Sequence, residues 1–158
     1  MAKTNITWDE ASSAVQNARA KLPKLIGAYF GEGRKLMDPS TSPAVMHRFR
    51  LETKAVRYTL ELFRACYGPG LGRYLTALAR IQDFLGAIND CETTRDLIAS
   101  KLPAGSADRI QMERILTACM RRKWSELRRY WRQTFDRPGE ERRWLNYLSR
   151  RTGGSAQD

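Results

Sequence analysis

Apolar residues recur at intervals of three and four along most of this chain, and nearly every run is cut off by proline or glycine. That spacing lays one apolar stripe along a helix and leaves no segment with the in-out alternation of a strand. Leu71, Leu75, Leu78, Ile81, Leu85 and Ile88 form the clearest stripe, bounded before it by Gly68, Pro69 and Gly70. Beyond it, Asn89 and Asp90 leave two options open: a kink, or a cap for further helix to about Lys101. A second stripe, Val45, Phe49, Val56, Leu60 and Phe63, follows Ser42 as N-cap and Pro43 at the first helical position.

The same reasoning places a first helix over Ala11, Val15, Ala18, Leu22, Leu25 and Tyr29. Thr7 and Glu10 form a capping box before it, Pro23 is expected to kink it, and Gly31 with Gly33 to stop it before a loop holding Pro39 and Pro43. After the break at Pro103, Ala104 and Gly105, Ser106 caps a long helix to about Asp136, with Met112, Leu116, Cys119, Leu127 and Trp131 inward. Pro138 and Gly139 end it, and Trp144, Leu145 and Leu148 mark a short amphipathic piece that packs back. The fold class is therefore all-α, an antiparallel four-helix bundle with a short C-terminal helix. With 158 residues and 42% hydrophobic content one core is expected, as a single bundle over 1–151 and a disordered tail over 152–158.

Charge narrows the partners. Lys and Arg number 28 against 17 Asp and Glu, a net charge of +11, which concentrates anions near the surface. His47, Arg50, Lys54 and Arg57, spaced by three, four and three, stack on one helical face bordered by Tyr58 and Glu61. Guanidinium and ammonium heads in a row suit successive phosphate oxygens, and Glu61, one turn beyond Arg57, can orient its guanidinium. On spacing alone, a solvated helical face is the commoner meaning of such a stripe. Arg73 and Arg80, seven apart, and the run Arg121, Arg122 and Lys123 are further phosphate-binding candidates from charge and helical phase alone.

Two runs carry a family resemblance. HRFRLETKAVRYTLELF, His47 to Phe63, fits H-x-x-R-x-x-x-K-x-x-R-Y-x-x-E at every specified position, and LARIQDFLGAIND, Leu78 to Asp90, fits L-x-x-L-Q-x-x-L-G-x-x-N-D with Ile81 in place of leucine. Both resemble recurring elements of the conserved histidine α-helical domain (CHAD) family. The resemblance implies helical bundles whose basic face binds inorganic polyphosphate, at His47, Arg50, Lys54, Arg57 and Tyr58 here. It also implies recruitment to polyphosphate granules or to polyphosphate-metabolising enzymes. The family's usual domain has two related halves, each with a basic motif, whereas this chain resembles the second half alone; a homodimer that rebuilds the pair is expected.

Catalysis and metal binding find little footing. His47 is the only histidine, which leaves no imidazole-rich metal site and no ready nucleophile-histidine pair. Asp83 and Asp90 could hold Mg²⁺, but solvated or capping carboxylates are the simpler reading, and no glycine-rich phosphate loop or Cys-x-x-Cys pair occurs. Cys66, Cys91 and Cys119 read as small buried hydrophobes of a reducing compartment rather than a disulfide framework. Met1 to Asp9 is polar and no run nears the roughly twenty apolar residues of a membrane span, so no cofactor, no membrane and a cytoplasmic setting are expected. Two alternatives stay open: weak, sequence-independent nucleic-acid binding, with Trp124, Tyr130 and Trp131 as stacking surfaces, and docking on an acidic protein.

Overall fold

A computed structural model describes residues 7–38 and 41–150, and among them all regular structure is helical. Helix α1 spans Ala14–Leu36, α2 Pro43–Leu62, the single turn α3 Arg64–Tyr67, α4 Gly72–Lys101, α5 Ala107–Tyr130 and α6 Glu140–Ser149. A 3-10 turn, Pro69–Leu71, leads into α4, and a π-turn, Trp131–Phe135, extends α5. Pro39 and the tail expected over 152–158 lie outside the described residues.

The helix ends show which local signals prevail. Ser13, not Thr7, caps α1: its Oγ accepts from Gln16 N at 3.2 Å while Gln16 Oε1 accepts from Ser13 N at 2.8 Å. The box expected at Thr7 and Glu10 fails because buried Asn17 holds the preceding residues in a turn. Asn17 Oδ1 accepts from Asp9 N at 2.9 Å, and its Nδ2 donates to the carbonyls of Asp9 and Ser12 at 2.8 and 3.1 Å. The expected stop at Gly31 and Gly33 is not made either, since α1 continues through Pro23 and both glycines to Leu36. Gly33 is there for packing: an added Cβ would lie 2.0 Å from Trp131 Cη2. At α2 the expected cap forms, with Ser42 Oγ accepting from Val45 N at 3.4 Å. Helix α4 passes Asn89 and Asp90 unbroken to Lys101, and Gly105, at φ 80°, turns the chain into α5, where Ser106 Oγ accepts from Arg109 N at 3.4 Å.

Helix α2 packs on α1 and α4, α5 packs on α4, and α6 folds back onto α1. The stripe from Leu71 to Ile88 is buried throughout, as are Phe49, Val56 and Leu60 on α2. The centre of the core is aromatic. Trp131, 1% exposed, lies 6.0 Å from Tyr29, 6.1 Å from Phe30, 6.0 Å from Phe49 and 4.7 Å from Phe135, ring centre to ring centre. Phe135 in turn meets Trp144 of α6 at 5.3 Å. Rings of this size contribute the largest single burial terms a core offers, about 1.5–3 kcal/mol each and more for tryptophan.

Polar clasps fix the C-terminal part onto α1 and α3. Arg34 grips Asp136 with two hydrogen bonds, Nε to Oδ2 at 2.8 Å and Nη2 to Oδ1 at 2.7 Å, and Nη2 also reaches Glu141 Oε2 at 2.5 Å. Tyr67 Oη donates to the Leu148 carbonyl at 3.0 Å while Tyr147 Oη donates to the Tyr67 carbonyl at 2.8 Å.

Helices α4 and α5 form an antiparallel hairpin whose register is marked by Tyr130 beside Ala77, Cys119 beside Cys91 and Arg109 beside Ala99. Its outer part leaves the core: no residue from 92 to 126 is buried. Met112, expected inward, is 45% exposed, and Ile110 and Ile115 are exposed with it. Leu116 and Cys119 are only partly covered, whereas Leu127 and Trp131 are buried as expected, because α5 meets the rest of the bundle only near its C-terminus.

Candidate functional site

His47, Arg50, Lys54 and Arg57 lie on one flank of the buried face of α2, and His47 and Arg50 border α4 there. At roughly 100° per residue, Arg57, Arg50, Lys54 and His47 fall successively farther from Phe49 around the helix. Burial follows that order in outline: the three cations are partly covered, and His47 and Tyr58 are exposed. His47, Arg50 and Met46 share a recess with Leu85, Ile88, Asn89 and Glu92 of α4, closed too tightly to admit a water molecule. The stripe therefore opens along the α2–α4 groove, not on a free helical back. Asn89 and, one heptad earlier, Gln82 come from the second motif, so the two motifs, which begin about thirty residues apart in the sequence, meet across one groove.

Electrostatically this flank is only partly satisfied. Among the described residues Arg50 and Lys54 form no ion pair, and the buried Nε atoms of Arg50 and Arg57 have no hydrogen-bond partner. Arg57 lies 3.7 Å from Glu61 Oε1 and its guanidinium carbon 5.0 Å from the centre of the Tyr58 ring. An ion pair on one side and an aromatic face on the other restrict the orientation of Arg57. Gln82 Oε1 and Glu92 Oε1 are also buried without partners. A groove wall of unmatched donors and polar acceptors can take an anion that supplies oxygens to the former and keeps clear of the latter.

The other candidates lie elsewhere. Arg80 sits over Phe84 at 4.9 Å, and Phe84 faces Tyr130 of α5, so Arg80 belongs to the α5 side of α4 rather than the α2 side. Arg73 stacks on Tyr74 at 4.4 Å, donates to its hydroxyl and lines a cleft of about 330 Å³ with Tyr130, Arg137, Glu140, Arg143 and Trp144. Within that cleft Glu140 accepts from Arg137 at 2.8 Å and Arg143 at 2.7 Å; burial works to raise its carboxyl, but these two cations hold it below its ordinary value. Arg121 and Arg122 are exposed on α5, and Lys123 and Arg122 share Glu126 at 2.9 and 3.8 Å. Helical phase within α4 groups Arg73 with Arg80 but says nothing of which neighbour they face.

Sequence reasoning missed Asn89 as a groove residue, buried Gln82 one heptad before it, and Arg137 and Arg143 as neighbours of Arg73 in the cleft. The seven-residue spacing of Gln82 and Asn89 was the available signal. Of the aromatic residues considered for stacking, Trp131 is buried and Trp124 and Tyr130 pack against the core. Among the described residues no group of three metal-ligating side chains forms, and no helix is long and apolar enough to cross a membrane.

The family model described as CHAD domain matches residues 3–99, which contain both motifs and both walls of the groove. Among curated proteins and solved structures, none matches the chain.

Proposed function

The chain belongs to the CHAD domain family, and from that membership we propose that it binds inorganic polyphosphate, without catalysis, along the α2–α4 groove. Polyphosphate is the ligand associated with CHAD domains in general. The observation that carries the reading is the α2 flank, where among the described residues Arg50 and Lys54 form no ion pair and the Nε atoms of Arg50 and Arg57 make no hydrogen bond. Unpaired cations on a partly covered flank are free to make charge-assisted hydrogen bonds to an anion, each worth about 1.5–3 kcal/mol. Arg50, Lys54 and Arg57 would each take a phosphate oxygen, His47 and Tyr58 would border the track, and Glu61 would hold Arg57 in line. The same family footing extends the proposal to a homodimer that sets two such flanks side by side, to service of polyphosphate-metabolising enzymes, and to a cytoplasmic setting at polyphosphate granules. Light scattering at binding concentrations tests the dimer: about 36 kDa, twice the 18.2 kDa chain, supports it, and a monomer's mass refutes it.

A competition titration tests the ligand. Labelled long-chain polyphosphate is displaced by single-stranded RNA or duplex DNA at two salt concentrations. The proposal expects polyphosphate to be preferred at physiological salt. Three neutralised phosphates give a log-log salt slope of about −2, at the roughly −0.7 per phosphate known for single strands. Lys54→Glu should weaken binding tenfold or more with unchanged helical content, since one charge-assisted hydrogen bond is worth about 1.5–3 kcal/mol. Equal affinity for all three polymers reduces the site to general basicity, the reading that also fits a nucleic-acid or acidic-protein partner. Undiminished binding by Lys54→Glu removes the α2 flank from it.

A further inference from the structure

Cys91 and Cys119, 28 residues apart in the chain, bring their Sγ atoms to 3.5 Å across the α4–α5 hairpin. We propose that they are a dithiol modification site, which an oxidant of the peroxide class converts to an intramolecular disulfide. The sulfurs need to close by about 1.5 Å to reach the S–S bond length of about 2.05 Å, a change that side-chain rotation can supply when the two helices already hold the thiols face to face. Cys66 lies apart on α3, which packs against α1 and α2, and has no part in the pair.

The two thiols differ in a way that gives them different tasks. Cys119 is partly exposed and meets the reagent, whereas Cys91 is buried. Burial pushes the Cys91 thiol up, the hydrogen bond to Cys119 adds to this, and nearby Lys123 works against it. In the first step the Cys119 thiolate attacks one peroxide oxygen, the O–O bond breaks, and hydroxide leaves to be protonated to water. Cys119 is then a sulfenic acid. Cys91, giving up its proton, attacks the Cys119 sulfur; the S–S bond forms, the S–O bond breaks, and a second water departs. Two thiols lose two electrons and two protons, and one hydrogen peroxide becomes two waters.

The location gives the bond its consequence. Cys91 is the last buried residue of α4, and beyond the pair no residue from 92 to 118 is buried, so the outer hairpin adds nothing to the buried core. A covalent link at its root would suppress opening of that arm, and its formation requires no residue of the α2 flank. The proposal is thus independent of the ligand assignment.

Peroxide-treated and reduced full-length protein are compared by intact mass, by mapping of linked peptides and by thermal unfolding, for the parent and for Cys66→Ser, Cys91→Ser and Cys119→Ser. The expected result is a mass loss of two hydrogens in the parent and in Cys66→Ser, a peptide link between Cys91 and Cys119, reversal by dithiothreitol, and a Tm raised by roughly 5–10 °C. Neither Cys91→Ser nor Cys119→Ser should form an internal link; if the buried Cys91 variant does not fold, the partly exposed Cys119 variant decides. Links through Cys66, cross-linking between chains alone, oxygen addition to the parent without a disulfide, or three thiols still open to alkylation would each overturn the proposal.

Discussion

Replacing Gly33 with alanine should destabilise the fold even though it removes a glycine from the body of a helix. Helix propensity alone favours the change by about 0.8–1 kcal/mol. Against it, the new Cβ would stand 2.0 and 2.2 Å from two ring carbons of Trp131, where ordinary contact is about 3.4–4 Å. The ring cannot simply withdraw, because Trp131 is 1% exposed and enclosed by Tyr29, Phe30, Phe49 and Phe135. Overpacking of a filled core costs about 1–3 kcal/mol, and a shift of well over an ångström by the largest core ring belongs at or above the upper end. The net loss should be about 2 kcal/mol, a fall in Tm of roughly 4–8 °C for a domain of this size. Gly31, two residues earlier on the same helix, has nothing within 4 Å of an added Cβ, so Gly31→Ala should gain up to about 1 kcal/mol. Urea unfolding followed by circular dichroism compares the two alanines, which should differ by about 3 kcal/mol, or roughly a hundredfold in the folding equilibrium. Adding Trp131→Leu to Gly33→Ala should cost less than the sum of the single losses. Equal midpoints for Gly31→Ala and Gly33→Ala would refute the reasoning.

Three further outcomes follow from buried or clasping polar groups. Thr53→Val removes the partner at 2.9 Å from the buried Tyr29 hydroxyl and should cost about 1–3 kcal/mol in chemical denaturation, with Tyr29→Phe/Thr53→Val costing less than the two changes summed. Burial, with Glu32 nearby, holds the Glu52 carboxyl above its ordinary value, so its charged form opposes folding. Glu52→Gln should therefore be the more stable protein at pH 7, and its advantage should shrink as pH falls through the raised value and vanish below the unfolded carboxylate value; a pH-independent difference would contradict this. Arg34→Lys, which cannot keep both bonds to Asp136, should lose about 1 kcal/mol, and the loss should narrow at high salt because Arg34 is about half exposed.

Much of the helical layout is legible in residue spacing. The stripe from Leu71 to Ile88 and the cap at Ser42 needed only periodicity and the loss of the proline N–H, both local properties of the chain. The first helix lies where its apolar spacing puts it but starts later than expected, because Thr7 with Glu10 and Ser13 with Gln16 offer the same capping chemistry, and only Asn17, reaching back to Asp9, separates them. Gly33 escaped because its role depends on a residue about a hundred positions away. On the site, helical phase suffices to align His47, Arg50, Lys54 and Arg57, but a face does not name its neighbour. That the stripe borders α4 near Asn89, and that Arg80 looks toward α5 instead, follows from tertiary packing. The Cys91–Cys119 approach was hidden for the same reason, since it depends on hairpin register and not on any cysteine spacing pattern.

The clasp of the C-terminal part onto α1 also bears on how the protein is made. Tyr29, Phe30 and Phe49 leave the ribosome well before Trp131, Phe135 and Trp144, the rings that cover them. At about 5–20 residues per second, the nascent chain spends several seconds with half of its aromatic centre open to water. Emergence of the segment from Trp131 to Trp144, rather than of the segment that carries the family signature, is then the event that closes the fold, and the interval before it is when a chaperone would be needed.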